Sequence, residues 1–208
     1  MEFQYYGANC VRITTKKASI VIDDNLADLG LKNVSKAGDV ALFTSAHALP
    51  KADVRIIIDS PGEYEVANTS IQGISARAHI DESGKKNATI FKIVGEDLRV
   101  AVVGHIYPEL SDAQLEAIGT IDVLIVPVGG NGYTMDGIGA LKLIRKIEPK
   151  VVIPTHYDDK GINYPVPQQE LGEVLKALAM EPKEAVTKLK LKAGEMAELM
   201  QLVVLEKQ

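Results

Sequence analysis

Eight short β-branched runs fill the first half of the chain, at 2–6, 10–14, 19–23, 40–44, 55–59, 69–76, 89–94 and 98–103. Runs of this length, rich in Val, Ile and Thr and separated by turn residues, read as strands. Gly95-Glu96-Asp97 between two apolar runs reads as a hairpin turn, and Pro61-Gly62 breaks the chain after Asp59. The first half is therefore expected to be a meander of strands. From residue 111 the period changes. Ser111-Asp112-Ala113-Gln114 supplies capping residues and the residues after it show helical spacing, followed by a strand at 121–126. A helix is expected over 136–147, with Ile138, Leu141, Ile144, Arg145 and Ile147 in a helical pattern that stops before Pro149, then a short buried strand at 151–153. A last helix over 168–180 places Leu171, Val174, Leu175 and Leu178 on one face, and strands follow around 188–191 and 202–205. A strand-rich start with helices later implies an α/β sandwich.

At 208 residues the chain is long enough for a substantial core, and no stretch has linker composition, so one domain over residues 1–208 is expected. Trp is absent and Phe occurs three times, so the core rests on Val, Ile, Leu and Ala, which suits sheets flanked by helices. The 23 basic and 28 acidic residues leave a net charge of -5, with the basic ones scattered. That disfavours an extended nucleic-acid surface but not a small phosphorylated substrate. No apolar run approaches the ~18 residues that span a bilayer, and the N-terminal segment lacks the layout of a secretory signal, so no membrane partner and a cytoplasmic location are expected. The lone Cys10 fits a reducing compartment and, in an apolar stretch, reads as a buried small hydrophobe before a nucleophile.

The informative residues are the four histidines, His47, His79, His105 and His156, each just after an expected strand. Strand ends are where side chains remote in sequence can meet, and imidazole is a common ligand for zinc-like metals. A convergent metal site is one reading. The other is that each histidine is an ordinary surface or core residue, since none of the spacings forms a self-sufficient ligand motif.

Several segments together resemble the metallo-β-lactamase-fold hydrolases. They are Phe3 to Cys10, Ile20-Val21-Ile22-Asp23, Pro61-Gly62-Glu63-Tyr64-Glu65-Val66, the run from Ile121 to Gly130, and Ile153-Pro154-Thr155-His156-Tyr157. The branch is similar to zinc-dependent hydrolases related to the ascorbate-phosphate lactonases. The resemblance covers nearly the whole chain and implies a four-layer αββα sandwich. It also implies a His-x-His-x-Asp-His motif, which here has become Thr44-Ser45-Ala46-His47-Ala48-Leu49-Pro50. Ser45, Leu49 and Pro50 replace three ligands and His47 is retained. By the same resemblance His79 and His156 stand at ligand positions, and His105, in Gly104-His105, replaces the bridging Asp of a Gly-Asp pair.

A neutral imidazole cannot bridge two cations as a carboxylate does, so the resemblance implies one divalent metal held by His47, His79, His105 and His156. Zinc is the first expectation, with manganese, iron or nickel also compatible. A three-histidine zinc with one open position lowers its water to a pKa of about 7, which would allow hydrolysis of a small ester, lactone or phosphorylated molecule. Weaker candidates are Tyr157 beside His156, and Asp158 or Asp159 as a general base in place of the missing carboxylate. Asp23 is expected behind a ligand, and Thr134 and Asp136 resemble cleft-lining loop residues, although Asp136 also reads as a helix N-cap. The contrasting reading is a non-catalytic relative that keeps the fold as a binding or interaction module.

Overall fold

Every β-branched run of the first half forms a strand in the computed structural model, which describes residues 1–45 and 52–208. In chain order these are β1 (Glu2–Gly7), β2 (Cys10–Thr14), β3 (Ser19–Ile22), β4 (Val40–Leu42), β5 (Ile56–Ile58), β6 (Gly62–Val66), β7 (Thr69–Ala76), β8 (Ala88–Gly95) and β9 (Leu98–Val102). Helix α1 (Asp112–Ile118), β10 (Val123–Pro127), α2 (Gly137–Ile147), β11 (Val151–Thr155), α3 (Leu171–Leu178), β12 (Leu189–Lys190) and β13 (Gln201–Leu202) follow. Two sheets result, one ordered β12-β1-β2-β3-β4-β5 and the other β13-β11-β10-β9-β8-β7-β6.

The meander holds for β1 to β3 and for β6 to β9, whose neighbours are antiparallel. It fails from β3 to β5, which run parallel. The β3–β4 connection carries a 3-10 turn at Leu26–Leu29 and is long enough to return the chain to the start of the sheet. β6 arises where Pro61-Gly62 was expected only to break the chain. It is an edge strand with two of its five residues exposed, so it carries no apolar run to betray it. The β8–β9 hairpin turns through Glu96 and Asp97, both at positive φ (50° and 59°), the twist that favours tight hairpins.

The two sheets share one apolar layer. Phe3, Tyr5, Ile13 and Ile22 of the first sheet meet Phe91, Val100, Ile125 and Ile153 of the second. Alternation along β10 sends Val123 and Ile125 into that layer and Leu124 and Val126 to the opposite face. There α1, α2 and α3 cover the sheet through Ile118, Leu143, Ile144, Val174 and Leu178. Both faces of β10 are buried, hence its unbroken apolar sequence. On the outer face of the first sheet Cys10 and Val21 pack under Leu26. The αββα arrangement is thus present, with a 3-10 turn and loop as the outer layer on that side among the described residues. Cys10 is fully buried, and burial, with Asp24 and Asp23 nearby, pushes its thiol well above its ordinary value, as suits an inert packed residue.

Ser111 and Gln114 form the expected capping box of α1. In α2 the stripe on the sheet is Ala140, Leu143, Ile144 and Ile147, the i, i+3, i+4, i+7 set. Ile138 and Arg145, expected in the apolar pattern, share the solvent side seven residues apart, Ile138 being 58% exposed. Helix α3 starts three residues later than expected, because Gln168 is drawn into a different contact described below. β12 and β13 add an edge to each sheet, pairing with β1 and β11. Among the described residues no helix is long and apolar enough to cross a membrane.

Candidate functional site

β3, β4 and β5 run parallel in one sheet and β9, β10 and β11 in the other, so their C-terminal ends bring several loops to one edge of the sandwich. Asp23 follows β3 in a left-handed conformation (φ 47°) and is 1% exposed. Its two carboxylate oxygens accept from the Thr44 N–H at 2.7 Å and the Thr44 hydroxyl at 2.6 Å. Thr44 in turn lies against Gly104. A Cβ there would sit 2.1 Å from Thr44 Oγ1, and Gly104 has φ +56°. Asp23, Thr44 and Gly104 therefore set the height of the β9 end, and with it His105, relative to the first sheet.

Beyond β9 the main chain of residues 105–107 pairs with that of 77–79. The His79 N–H donates to the His105 carbonyl at 2.7 Å and the Tyr107 N–H to the Arg77 carbonyl at 2.8 Å. His105 and His156 meet edge to face, with centroids 4.5 Å apart and rings at 85°. Tyr133 approaches His105 at 4.9 Å and Tyr164 approaches His156 at 4.8 Å. The side chains of His79 and His105 open on different hollows. His105 lines a cavity of about 300 Å³ with Ser45, Ala78, Ile80, Asp81 and Tyr133, whereas His79 lines one of about 140 Å³ with Thr134 and Asp136. Burial holds the His79 imidazole below its ordinary pKa and so in the neutral form that can ligate.

His156 is 3% exposed and sits at φ 56°, its N–H donating to the Ala8 carbonyl at 2.8 Å. Its Nδ1 lies 3.0 Å from Gln168 Oε1, and Gln168 Nε2 donates to the Val166 carbonyl at 2.8 Å. One residue before it, the Thr155 hydroxyl donates to Asn9 Oδ1 at 3.0 Å, tying the end of β11 to the β1–β2 turn.

The sequence-predicted residues divide accordingly. His105 and His156 are in ring contact, His79 joins them through its main chain, and His47 lies outside the described residues. The Tyr157 ring packs on Tyr5 at 5.8 Å and its hydroxyl donates to the Leu205 carbonyl, 3.4 Å away. It packs into the layer between the sheets, and burial, helped by Asp159, pushes its pKa up to about 12. The Asp158 N–H donates to the Gln169 carbonyl at 2.9 Å, and no hydrogen bond joins its carboxylate to a histidine among the described residues. Asp159 is taken by Lys207 at 2.7 Å. Asp136 caps α2, its Oδ1 accepting from the Gly139 N–H at 2.7 Å, as the N-cap reading required. Thr134 is buried beside it. Gln168, Gly129 and Thr44 were not singled out by the sequence. A Gly-Gly pair after a buried strand was the one available signal, whereas Gln168 merged into the apparent start of the last helix.

A divalent ion suits part of this donor set. Two buried or half-buried imidazoles meet at strand ends, one with its Nδ1 already engaged, which is the usual state of a metal-bound histidine. Among the described residues no group of three or more His, Cys, Asp or Glu is placed to hold an ion, so the described residues contribute a pair and not a whole shell.

A two-sheet sandwich with histidines at the strand ends is the arrangement of the metallo-β-lactamase superfamily. Residues 2–156 match the family described as the beta-lactamase superfamily domain, and the chain belongs to it. Among solved structures, a candidate zinc-dependent hydrolase of that superfamily from Thermotoga maritima superposes with a TM-score of 0.81 at 27% identity, covering 99% of each chain. Among curated relatives, a UPF0173 protein of Pyrococcus abyssi is 26% identical over 182 residues, 77% of this chain and 85% of that protein. A UPF0173 metal-dependent hydrolase of Pyrococcus horikoshii is 29% identical over 143 residues, and this match spans 62% of that protein, under two thirds of its length.

Proposed function

We propose that the chain is a metal-dependent hydrolase with an atypical mononuclear site, in which the His105 and His156 pair holds one divalent ion, zinc first, with His47 as the further ligand that the resemblance implies and His79 on a separate hollow beside it. The observation that carries this reading is the 4.5 Å contact of the His105 and His156 rings at the ends of parallel strands. The name of the P. horikoshii relative as a metal-dependent hydrolase supports it. An ion held there would supply Lewis-acid activation of water and of the bond to be cleaved. The chain's own residues do the rest. Asp23 holds Thr44, Thr44 abuts Gly104, and Gly104 sets the place of His105. The cavity beside His105, about 300 Å³, is the size of a small-molecule site. It admits a small ester, lactone or phosphorylated molecule between the apolar Ala78 and Ile80 and the polar Ser45 and Asp81. The lone cysteine, packed as an apolar residue, supports a reducing, cytoplasmic setting.

The test is hydrolysis of a panel of p-nitrophenyl esters, lactones and phosphodiesters by protein loaded with Zn²⁺, by chelated protein, and by a His156→Ala variant. Turnover should depend on metal and fall at least about 100-fold in the variant, as loss of a group acting through the metal would give. Turnover unchanged by chelation overturns the reading. Bound metal with no turnover on any ester class points instead to a non-catalytic binding module.

A further inference from the structure

The geometry points to Gln168 as a positioning residue that fixes the tautomer of His156, with the hydrogen on Nδ1 and the lone pair on Nε2. The assignment follows from what each atom can do. The Val166 carbonyl can only accept, so the atom of Gln168 that lies 2.8 Å from it is the amide nitrogen. That leaves Oε1, also acceptor-only, 3.0 Å from His156 Nδ1. Nδ1 must therefore donate, and a neutral imidazole carries one N–H.

The surroundings hold this arrangement in place. Gln168 is 7% exposed. A Cβ on Gly129 would stand 2.0 Å from Gln168 Oε1 and 2.1 Å from the His156 carbonyl, so a side chain at 129 and the Gln168–His156 bond exclude one another. The segment around Gln168 is tied on both sides. The Gln169 N–H donates to the Gly129 carbonyl at 2.8 Å, and the Asp158 N–H to the Gln169 carbonyl at 2.9 Å. On the far side Asn131 Nδ2 donates to the Pro167 carbonyl at 2.5 Å. This wiring keeps residues 168–170 outside the helix, with Glu170 extended as the N-cap of α3. Its functional meaning rests on the proposed metal-dependent reading: the nitrogen offered to an ion is Nε2, and a neutral amide, not a carboxylate, supports it from behind, which leaves the imidazole less basic than a carboxylate partner would.

The experiment is ¹⁵N NMR of histidine-labelled, metal-free protein well above the ordinary imidazole pKa of about 6.5. The chain has four histidines, so a His156→Gln spectrum assigns the signal by difference. Wild type should show a pyrrole-type shift at Nδ1 and a pyridine-type shift at Nε2 of His156. Gln168→Leu should move both toward a mixture and weaken Zn²⁺ binding, read by chelator competition, about 10–100-fold. Gln168→Glu should keep the Nδ1–H tautomer and bind Zn²⁺ at least as tightly as wild type. A pyridine-type Nδ1 in wild type overturns the assignment without any variant having to fold, and so does an unchanged tautomer in Gln168→Leu. The Nδ1–H tautomer in a wild type that binds no Zn²⁺ leaves the positioning role standing and removes the metal-dependent reading.

Discussion

Gly104→Ala is expected to destabilise the protein by roughly 2–5 kcal/mol, as the sum of two separate costs. The first is backbone: φ is +56°, where a Cβ costs roughly 1–2 kcal/mol. The second is packing, typically about 1–3 kcal/mol for an overfilled core. The new methyl would stand 2.1 Å from Thr44 Oγ1, 2.4 Å from its Cβ and 2.9 Å from its Cγ2. Thr44 is fully buried and cannot swing away without breaking its hydroxyl bond to Asp23. Urea unfolding of Gly104→Ala, alone and combined with Thr44→Gly, which also removes the Cβ 2.4 Å away, separates the two. Removing the threonine side chain should recover the packing part and leave the backbone part, so the two substitutions should be strongly non-additive. A loss below about 0.5 kcal/mol, the range of an ordinary surface change, would refute the close approach of β4 and β9 at the site.

A second large effect is expected on the far side of the first sheet. Arg12, 8% exposed, bonds both oxygens of Asp39 at 3.0 and 2.9 Å and the Val34 carbonyl at 2.6 Å, and also contacts the Ser19 hydroxyl. Asp39, 4% exposed, also accepts from the Lys36 N–H at 2.8 Å. The pair fastens the β3–β4 connection over the sheet. Asp39→Ala would strand a buried guanidinium, and breaking such a pair from one side costs about 3–5 kcal/mol. Replacing both residues with apolar ones of similar size, Arg12→Met with Asp39→Leu, should recover most of that loss, because the desolvation of two charges is then avoided. A single variant as mild as the double one would show that the pair is not holding the connection.

The fold was legible wherever an element carried its own apolar period. β10 reads as an unbroken apolar run because both its faces are covered, and α1 announces itself through Ser111 and Gln114. β6 was hidden, since an edge strand with exposed residues has no such period. The parallel course of β3 to β5 was hidden for another reason: strand direction is decided by the connection and the partner, not by residues within the strand. Ile138 shows a related limit, for a helical period allows more than one face and packing against the sheet selected Ala140, Leu143, Ile144 and Ile147.

The site was legible in its residue types and less so in its geometry. Of the described histidines, His105 and His156 touch at one edge of the sandwich. The sequence had no means of showing that His79 faces a different hollow from His105, because that depends on how residues 77–79 pair with 105–107. Tyr157 looked like a site residue by adjacency to His156, yet the left-handed turn at His156 (φ 56°) sits between the end of β11 and Tyr157, whose ring packs on Tyr5. Gln168 reaches His156 across a loop of irregular backbone, and no periodicity encodes such a contact.

The proposed chemistry stands on a single-ion site built on His105 and His156. Its most direct test is elemental analysis of protein purified without chelator or metal-affinity tag, beside His105→Ala. Wild type should carry about one zinc, manganese, iron or nickel per chain, as expected of a mononuclear site, and the variant should lose it. Absence of metal from both, even after metal is added back, would contradict the single-ion site and make the four histidines a remnant of an ancestral centre.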